Sequence, residues 1–329
     1  MSDVAPREIR LEDYRPPAFT TREARLRFEL DPAATVVEAE LLVERIGEGP
    51  LELYGEDLET LAFTVDGRAL DPDALPVEGG VLRLRAVPDR ARIVTRVRIF
   101  PAENHALSGL YESGGLLVTQ CEAEGFRRIT WYQDRPDVLA RFSVRLEADR
   151  SRYPVLLANG NPGARGELPG GRHFAEWHDP FPKPGYLFAL VAGDLARIEG
   201  THTTRSGREV ALHLYARPGE VERCRYALRA LSTAMRWDED VYGLECDLDL
   251  FQIVAVPAFN FGAMENKGLN IFNAAALLAD PEIATDRDHL RVARVVAHEY
   301  FHNWTGNRVT LRDWFQLTLK EGLTVLRDQ

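Results

Sequence analysis

The chain has 329 residues, 45% of them hydrophobic and 28% charged, with a formal net charge of −11. That balance suits an ordinary globular chain of about two domains and argues against a nucleic-acid partner, whose phosphates would repel it. The longest apolar runs, such as Tyr186 to Ala192, are too short to span a bilayer, so no membrane partner is expected. Cys121, Cys224 and Cys246 are few, odd in number and without CxxC spacing, which reads as buried free thiols in a reducing compartment. The polar start has no apolar stretch of the signal-peptide kind, so a cytoplasmic location is the default expectation.

In chain order, the first half reads as β-structure. Ala24, Leu26, Phe28 and Leu30 alternate with Arg25, Arg27 and Glu29, the period of a half-buried strand. Val37, Ala39, Leu41 and Val43 repeat the pattern, as do Ile93, Thr95, Val97 and Ile99, and later Phe142, Val144 and Leu146. Asn159-Gly160 and Gly170-Gly171 mark tight turns. An antiparallel β-domain over residues 1–193 is expected. After Asp194, two or three further strands precede a helix on which Val221, Cys224, Leu228, Leu231 and Met235 fall three and four apart, stopped by Gly243. Phe251 to Val256 reads as a short strand ended by Pro257. Asp286 to Trp304 reads as a helix with Leu290, Ala293, Ala297, Tyr300 or Phe301, and Trp304 as its apolar stripe, and Gly306 as its stop. Asp313 is placed to cap a last helix, which is still running at Gln329 as if cut. The fold class is α+β.

His298-Glu299-Tyr300-Phe301-His302 is an HExxH motif inside the predicted helix. At about 100° per residue, positions i and i+4 lie about 40° apart, so both imidazoles leave one face, as two ligands of a tetrahedral zinc require. Glu299 sits beside that face, where it can take a proton from an activated water. Chance occurrence of the motif in a chain this long is on the order of one per cent. Glu321, with eighteen residues between it and His302, supplies a carboxylate from the next helix and completes a His₂Glu site for one zinc per chain.

This combination resembles the gluzincin aminopeptidases, and within them the bacterial aminopeptidase N (alanyl aminopeptidase) branch. Three more segments carry the resemblance: Gly262-Ala263-Met264-Glu265-Asn266, the family's exopeptidase signature; Thr119 through Arg128; and the run from His298 through Trp304-Thr305-Gly306-Asn307-Arg308 to Lys320-Glu321-Gly322. The resemblance implies an N-terminal β-domain over 1–193, then the first part of a thermolysin-like zinc catalytic domain over 194–329. It implies hydrolysis of the N-terminal bond of peptides with a free α-amine, with Glu265 and Glu122 holding the ammonium, Gln120 lining the pocket for the first side chain and Gly262-Ala263 lying along the peptide backbone. Phe261 departs from the methionine often found there, and makes a stiffer apolar wall that puts side-chain preference in question. Asp328, seven residues after Glu321 on nearly the same helical face, is a candidate to accept the outer N–H of a ligating histidine.

The match covers only the leading part of the family's longer architecture. The missing remainder of its own chain is therefore an expected partner, and the 329 residues alone are expected to be inactive. The family's oxyanion-supporting tyrosine lies downstream of any residue here. Two other readings stay open: a thermolysin-like endopeptidase, which has no use for Glu265 and Glu122 as an amine clamp, and a non-catalytic scaffold, which has no use for an intact ligand set and base.

Overall fold

Alternation in sequence becomes alternation in burial wherever a strand forms: along Thr35–Arg45, Val37, Ala39 and Leu41 are wholly buried while Glu38 between them is exposed. The structure, a computed structural model, describes residues 8–329; the polar start over 1–7 lies outside the described residues. The strands run β1 (Phe19–Glu29), β2 (Thr35–Arg45), β3 (Leu51–Tyr54), β4 (Glu59–Val65), β5 (Arg68–Leu70), β6 (Val77–Glu78), β7 (Val81–Leu84) and β8 (Arg90–Ile99). Then come β9 (Gly109–Ser113), β10 (Leu116–Gln120), β11 (Arg141–Asp149), β12 (Val155–Ala158), β13 (Asn161–Leu168), β14 (Arg172–His178) and β15 (Leu190–Gly193). The rest of the chain alternates: β16 (Ala196–Thr203), β17 (Glu209–Ala216), α1 (Arg225–Tyr242), β18 (Leu250–Val256), β19 (Ala263–Met264), β20 (Leu269–Asn273), α2 (Ala274–Leu277), α3 (Asp286–Phe301) and α4 (Leu317–Asp328).

An eight-stranded sheet in the order β13-β14-β11-β1-β2-β8-β4-β5 carries the first half, joined by a four-stranded sheet β12-β15-β10-β9 and a three-stranded one, β3-β7-β6. The expectation of a purely antiparallel domain needs correction at one seam. β1 and β11 pair in parallel, from Glu23 opposite Arg141 to Glu29 opposite Glu147. No tight turn joins these two strands, so nothing local dictates opposite directions. Asn159-Gly160 is a turn between sheets and not a hairpin: it carries the chain from β12 to β13, with Gly160 at φ +91° and its missing Cβ site 2.3 Å from the His178 carbonyl.

A large core joins the faces of the first sheets, with Phe126 at its centre: its ring meets those of Tyr132, Phe142 and Phe188 at 4.8, 5.8 and 5.1 Å. A second cluster packs α1 and α3 against the five-stranded sheet β16-β17-β18-β20-β19, through Leu231 and Met235 on one helix and Val292, Val296 and Tyr300 on the other. All three cysteines are buried and unpaired. No helix of the described residues is long and apolar enough to cross a membrane.

α1 ends, as its sequence implies, at Gly243 in the left-handed region. α3 begins at a Thr285–Asp288 capping box and differs from expectation in two ways. It ends at Phe301, with His302 as its cap, and its buried face is Val292, Val296, Glu299, Tyr300 and Phe301. The anticipated stripe of Leu290, Ala293 and Ala297 instead lines an open groove against Ala230, Ala234 and Trp237 of α1. The helix is rotated so that its polar histidine edge faces inward. Asp313 caps the 3-10 turn that leads into α4, accepting from Phe315 N.

Candidate active site

One turn of α3 separates His298 from His302, and their rings meet edge to face with centroids 4.7 Å apart. Their Nε2 atoms face each other at 3.1 Å, and each lies 3.5 Å from Glu321 Oε2 on α4. Two nitrogens bound to one tetrahedral zinc at about 2.0–2.1 Å would lie about 3.3 Å apart, so the three donors fit such an ion. The outer nitrogens decide the tautomers. His298 Nδ1 donates to Asp328 Oδ2 at 2.7 Å, and His302 Nδ1 donates to the Thr305 carbonyl at 2.8 Å. In the neutral rings both Nε2 lone pairs turn toward the same point as Glu321.

The charges are tightly coupled. Burial opposes protonation of His298, but Glu321, Glu299 and Asp328 outweigh it and raise its pKa to about 9. His302 shifts the same way, as Glu265 and Glu321 overcome burial. Glu321 is held far below the carboxylate range because bonds to both histidines outweigh its burial. Glu299, on the buried side of α3, is pushed up to about 8 by burial and by Glu265.

Next to these donors lies a second acidic group. Glu122 follows β10, Glu265 follows β19, and between them stands Lys320 of α4, its side chain 1% exposed. Lys320 Nζ is 2.8 Å from Glu122 Oε1 and 2.9 Å from Glu321 Oε1, and it is paired with Glu265. Burial disfavours the lysine's charge, yet Glu265 and Glu122 raise its pKa well above the usual range. Burial and Glu265 push Glu122 up to about 7, against the pull of Lys320. Glu265 moves downward, since His302 and Lys320 together outweigh burial.

The remaining sequence candidates divide. Gln120, buried at the end of β10, donates from Nε2 to the Glu122 carbonyl at 3.1 Å. Phe261 is 53% exposed and meets Phe259 edge-on at 6.5 Å. Gly262 is exposed with open space where a Cβ would stand, and Ala263 begins the outermost strand of its sheet. Met264 instead points into the core, and Asn266 is wholly buried, its carbonyl accepting from Asn270 Nδ2 at 3.1 Å. These two support the loop from beneath and do not form its surface.

Lys320 has no role legible in the sequence beyond its place beside Glu321. The missed signal is the inverted pattern of α4: Lys320, Thr324 and Arg327, spaced four and three, are buried, while Leu319, Leu323 and Leu326 are exposed. The struts between the Glu265 loop and the end of α3 are likewise not legible in the sequence. Lys267 Nζ donates to Asp247 at 2.6 Å and to Asn303 Oδ1 at 2.9 Å, and Asn307 Nδ2 donates to the Glu265 carbonyl at 2.7 Å. Gly306 is required here: at φ +131° its Cβ site lies 3.0 Å from His302 Nδ1 and 3.2 Å from Lys320 Cδ.

Comparison with known proteins matches these same segments. The Peptidase M1 N-terminal domain model covers residues 96–187, and the Peptidase family M1 domain model covers 226–329. The chain belongs to the M1 peptidase family. Among M1 relatives, Aminopeptidase N of Caulobacter vibrioides is 59% identical over 331 residues, which is 100% of this chain and 38% of the relative. Aminopeptidase N of Escherichia coli is 55% identical over 319 residues, 96% of this chain and 36% of the relative. The crystal structure of Legionella pneumophila aminopeptidase A in complex with aspartic acid matches with a TM-score of 0.92 at 38% identity, over 97% of this chain and 38% of that one. The chain thus spans less than two fifths of the length of these relatives, and its fold is an M1 N-terminal β-domain followed by M1-domain sequence.

Proposed function

We propose that this M1 chain carries the metal site and the amine clamp of a zinc aminopeptidase, with 1–193 as the N-terminal β-domain and 194–329 as the leading part of the catalytic domain. The observation that carries the reading is the adjacency of two constellations, the His298–His302–Glu321 donors and the Glu122–Glu265 acid pair, joined through Lys320.

His298, His302 and Glu321 would hold Zn²⁺, which when bound would supply Lewis-acid chemistry to a carbonyl and bring the pKa of a water toward about 7. Glu299 takes the proton of the attacking water and delivers it to the nitrogen of the departing amine. Glu265 and Glu122 accept charge-assisted hydrogen bonds from the substrate's α-ammonium, which sets the cut one residue from the N-terminus. Lys320 balances part of their charge and opposes the rise that burial and Glu265 give to the Glu122 pKa. Gln120 and Phe261 border the first side chain, while Gly262 and Ala263 offer backbone at a sheet edge to the peptide. Three buried, unpaired thiols support a reducing, cytoplasmic setting.

The test compares an alanyl peptide with its N-acetylated form, using this sequence within a chain of its relatives' length. Cleavage restricted to the free amine supports the clamp. Equal cleavage of both would favour an endopeptidase, and zinc binding without cleavage would favour a scaffold.

A further inference from the structure

The outer side of His298 is held directly, by Asp328. That of His302 meets the Thr305 carbonyl at 2.8 Å, with Thr324 Oγ1 of α4 3.2 Å away, and a longer chain of contacts runs from Thr305 to α1, a helix with no metal donor. Asp238 of α1 is wholly buried and paired with Arg327 of α4, whose side chain is 5% exposed. Arg327 Nη1 donates to the Phe301 carbonyl, the last of α3, at 3.0 Å, and to Thr305 Oγ1 at 3.0 Å. Thr305 Oγ1 in turn donates to that same Phe301 carbonyl at 3.1 Å, while the Thr305 carbonyl accepts from His302 Nδ1 at 2.8 Å. The guanidinium lies over the rings of Phe301 and Tyr242, 4.7 and 5.2 Å from their centroids.

We propose that the Asp238–Arg327 pair is a positioning device for the metal site: it stops α3 at Phe301 and fixes Thr305, and so sets the direction of the His302 ring. Consecutive residues of α4 then govern the two histidines, Arg327 through Thr305 and Asp328 by direct contact. The inference rests on the zinc reading given above.

The physical case is one of exclusion. A buried ion pair is a poor way to gain stability, because apolar side chains of similar volume are often as stable or more so. What an apolar pair cannot do is donate to the Phe301 carbonyl and the Thr305 hydroxyl. Those two acceptors lie at the point where α3 gives way to the turn carrying Thr305. The Phe301 carbonyl takes long backbone bonds, from Trp304 N at 3.4 Å and Thr305 N at 3.3 Å, so a closer, charged donor placed there fixes the turn that ends the helix. The planar fork of Arg327 meets both demands at once, since one amino group reaches Asp238 and the other reaches both oxygens of the turn.

The experiment uses a chain of the relatives' length in metal-free form. It measures the zinc dissociation constant by competition with a chromophoric chelator, and thermal unfolding without metal. The variants are Arg327→Met, the double Asp238→Leu/Arg327→Met, Arg327→Lys and Thr305→Val. A positioning role predicts that the double variant recovers thermal stability relative to Arg327→Met while its zinc dissociation constant stays raised by about tenfold or more. A double variant that regains both stability and zinc affinity would show a purely structural pair and overturn the proposal. Should the double variant not fold, Thr305→Val and Arg327→Lys decide: weakened zinc binding in both supports the proposal, and unaltered binding in both overturns it. An unaltered protein that binds no zinc would overturn the zinc reading and this inference together. Zinc bound by the unaltered protein and lost in His302→Ala, but kept by every positioning variant, would remove this inference alone.

Discussion

Asp328 Oδ2 lies 2.7 Å from His298 Nδ1, on the opposite edge of the imidazole from Glu321. The carboxylate is 4% exposed, and its other oxygen accepts from Arg294 Nε at 3.1 Å, so it is held from two sides. Replacing Asp328 with Asn removes the charge that orients the ring and raises its basicity. Zinc affinity should fall about 10–100-fold. Chelator competition on the Asp328→Asn variant measures this, and unchanged affinity would show that the contact serves the fold and not the metal site.

Glu299 and Glu321 should separate cleanly. Glu299→Gln keeps the shape of the buried side chain but cannot accept a proton, so zinc content should hold while hydrolysis drops by about 10²–10⁴-fold. Glu321→Ala should lose the metal itself. Metal analysis beside turnover of an alanyl reporter amide distinguishes the two, and equal zinc loss in both variants would refute the division of roles.

Lys320 pairs with Glu122, Glu265 and Glu321, the last of which also faces both histidines. Lys320→Met leaves Glu122 and Glu265 facing each other without their lysine. Breaking a buried charge network in this way costs about 3–5 kcal/mol, and at least one acid should take up a proton. Both a lowered unfolding temperature and a raised KM for free N-termini are expected. A variant with unaltered KM would show that the lysine serves the fold and not the clamp.

Acid sensitivity should have a source far from the site. Glu147 on β11 accepts from Arg27 at 2.9 Å and from Arg145 at 2.7 Å, and these bonds outweigh burial to lower its pKa from 4.5. A carboxyl with a depressed folded-state pKa contributes stability above its unfolded value, and that contribution disappears as pH falls through the folded value. Glu147→Gln should therefore lose stability at neutral pH and show a flatter decline below about pH 4.5. Thermal unfolding from pH 7 to pH 3 checks this, and parallel curves for the two proteins would rule Glu147 out.

Several features needed only local rules. The strands at Ala24–Leu30, Val37–Val43 and Ile93–Ile99 follow from strict alternation, because a pleated strand turns every second side chain to the same face. The stop of α1 at Gly243 and the cap at Asp313 depend on a single residue's backbone freedom or side chain. HExxH and the Glu321 spacing are likewise readable, since helical geometry over one turn puts two imidazoles on one edge.

By itself, then, the sequence determined which atoms can hold a metal and roughly where the strands and helices lie. Tertiary structure decided which distant groups they meet. The parallel seam between β1 and β11 depends on contacts more than a hundred residues apart in sequence, which no local period encodes. At the early end of α3 the Phe301 carbonyl accepts from Arg327, which arrives from another helix. The inward face of α4 is polar because Glu122, Glu265 and Asp238 wait on other elements, so burial there follows charge pairing and not hydrophobicity. Hydrophobic periodicity reports what each segment does with water. It carries no information on which opposite charge will replace that water once the chain has packed.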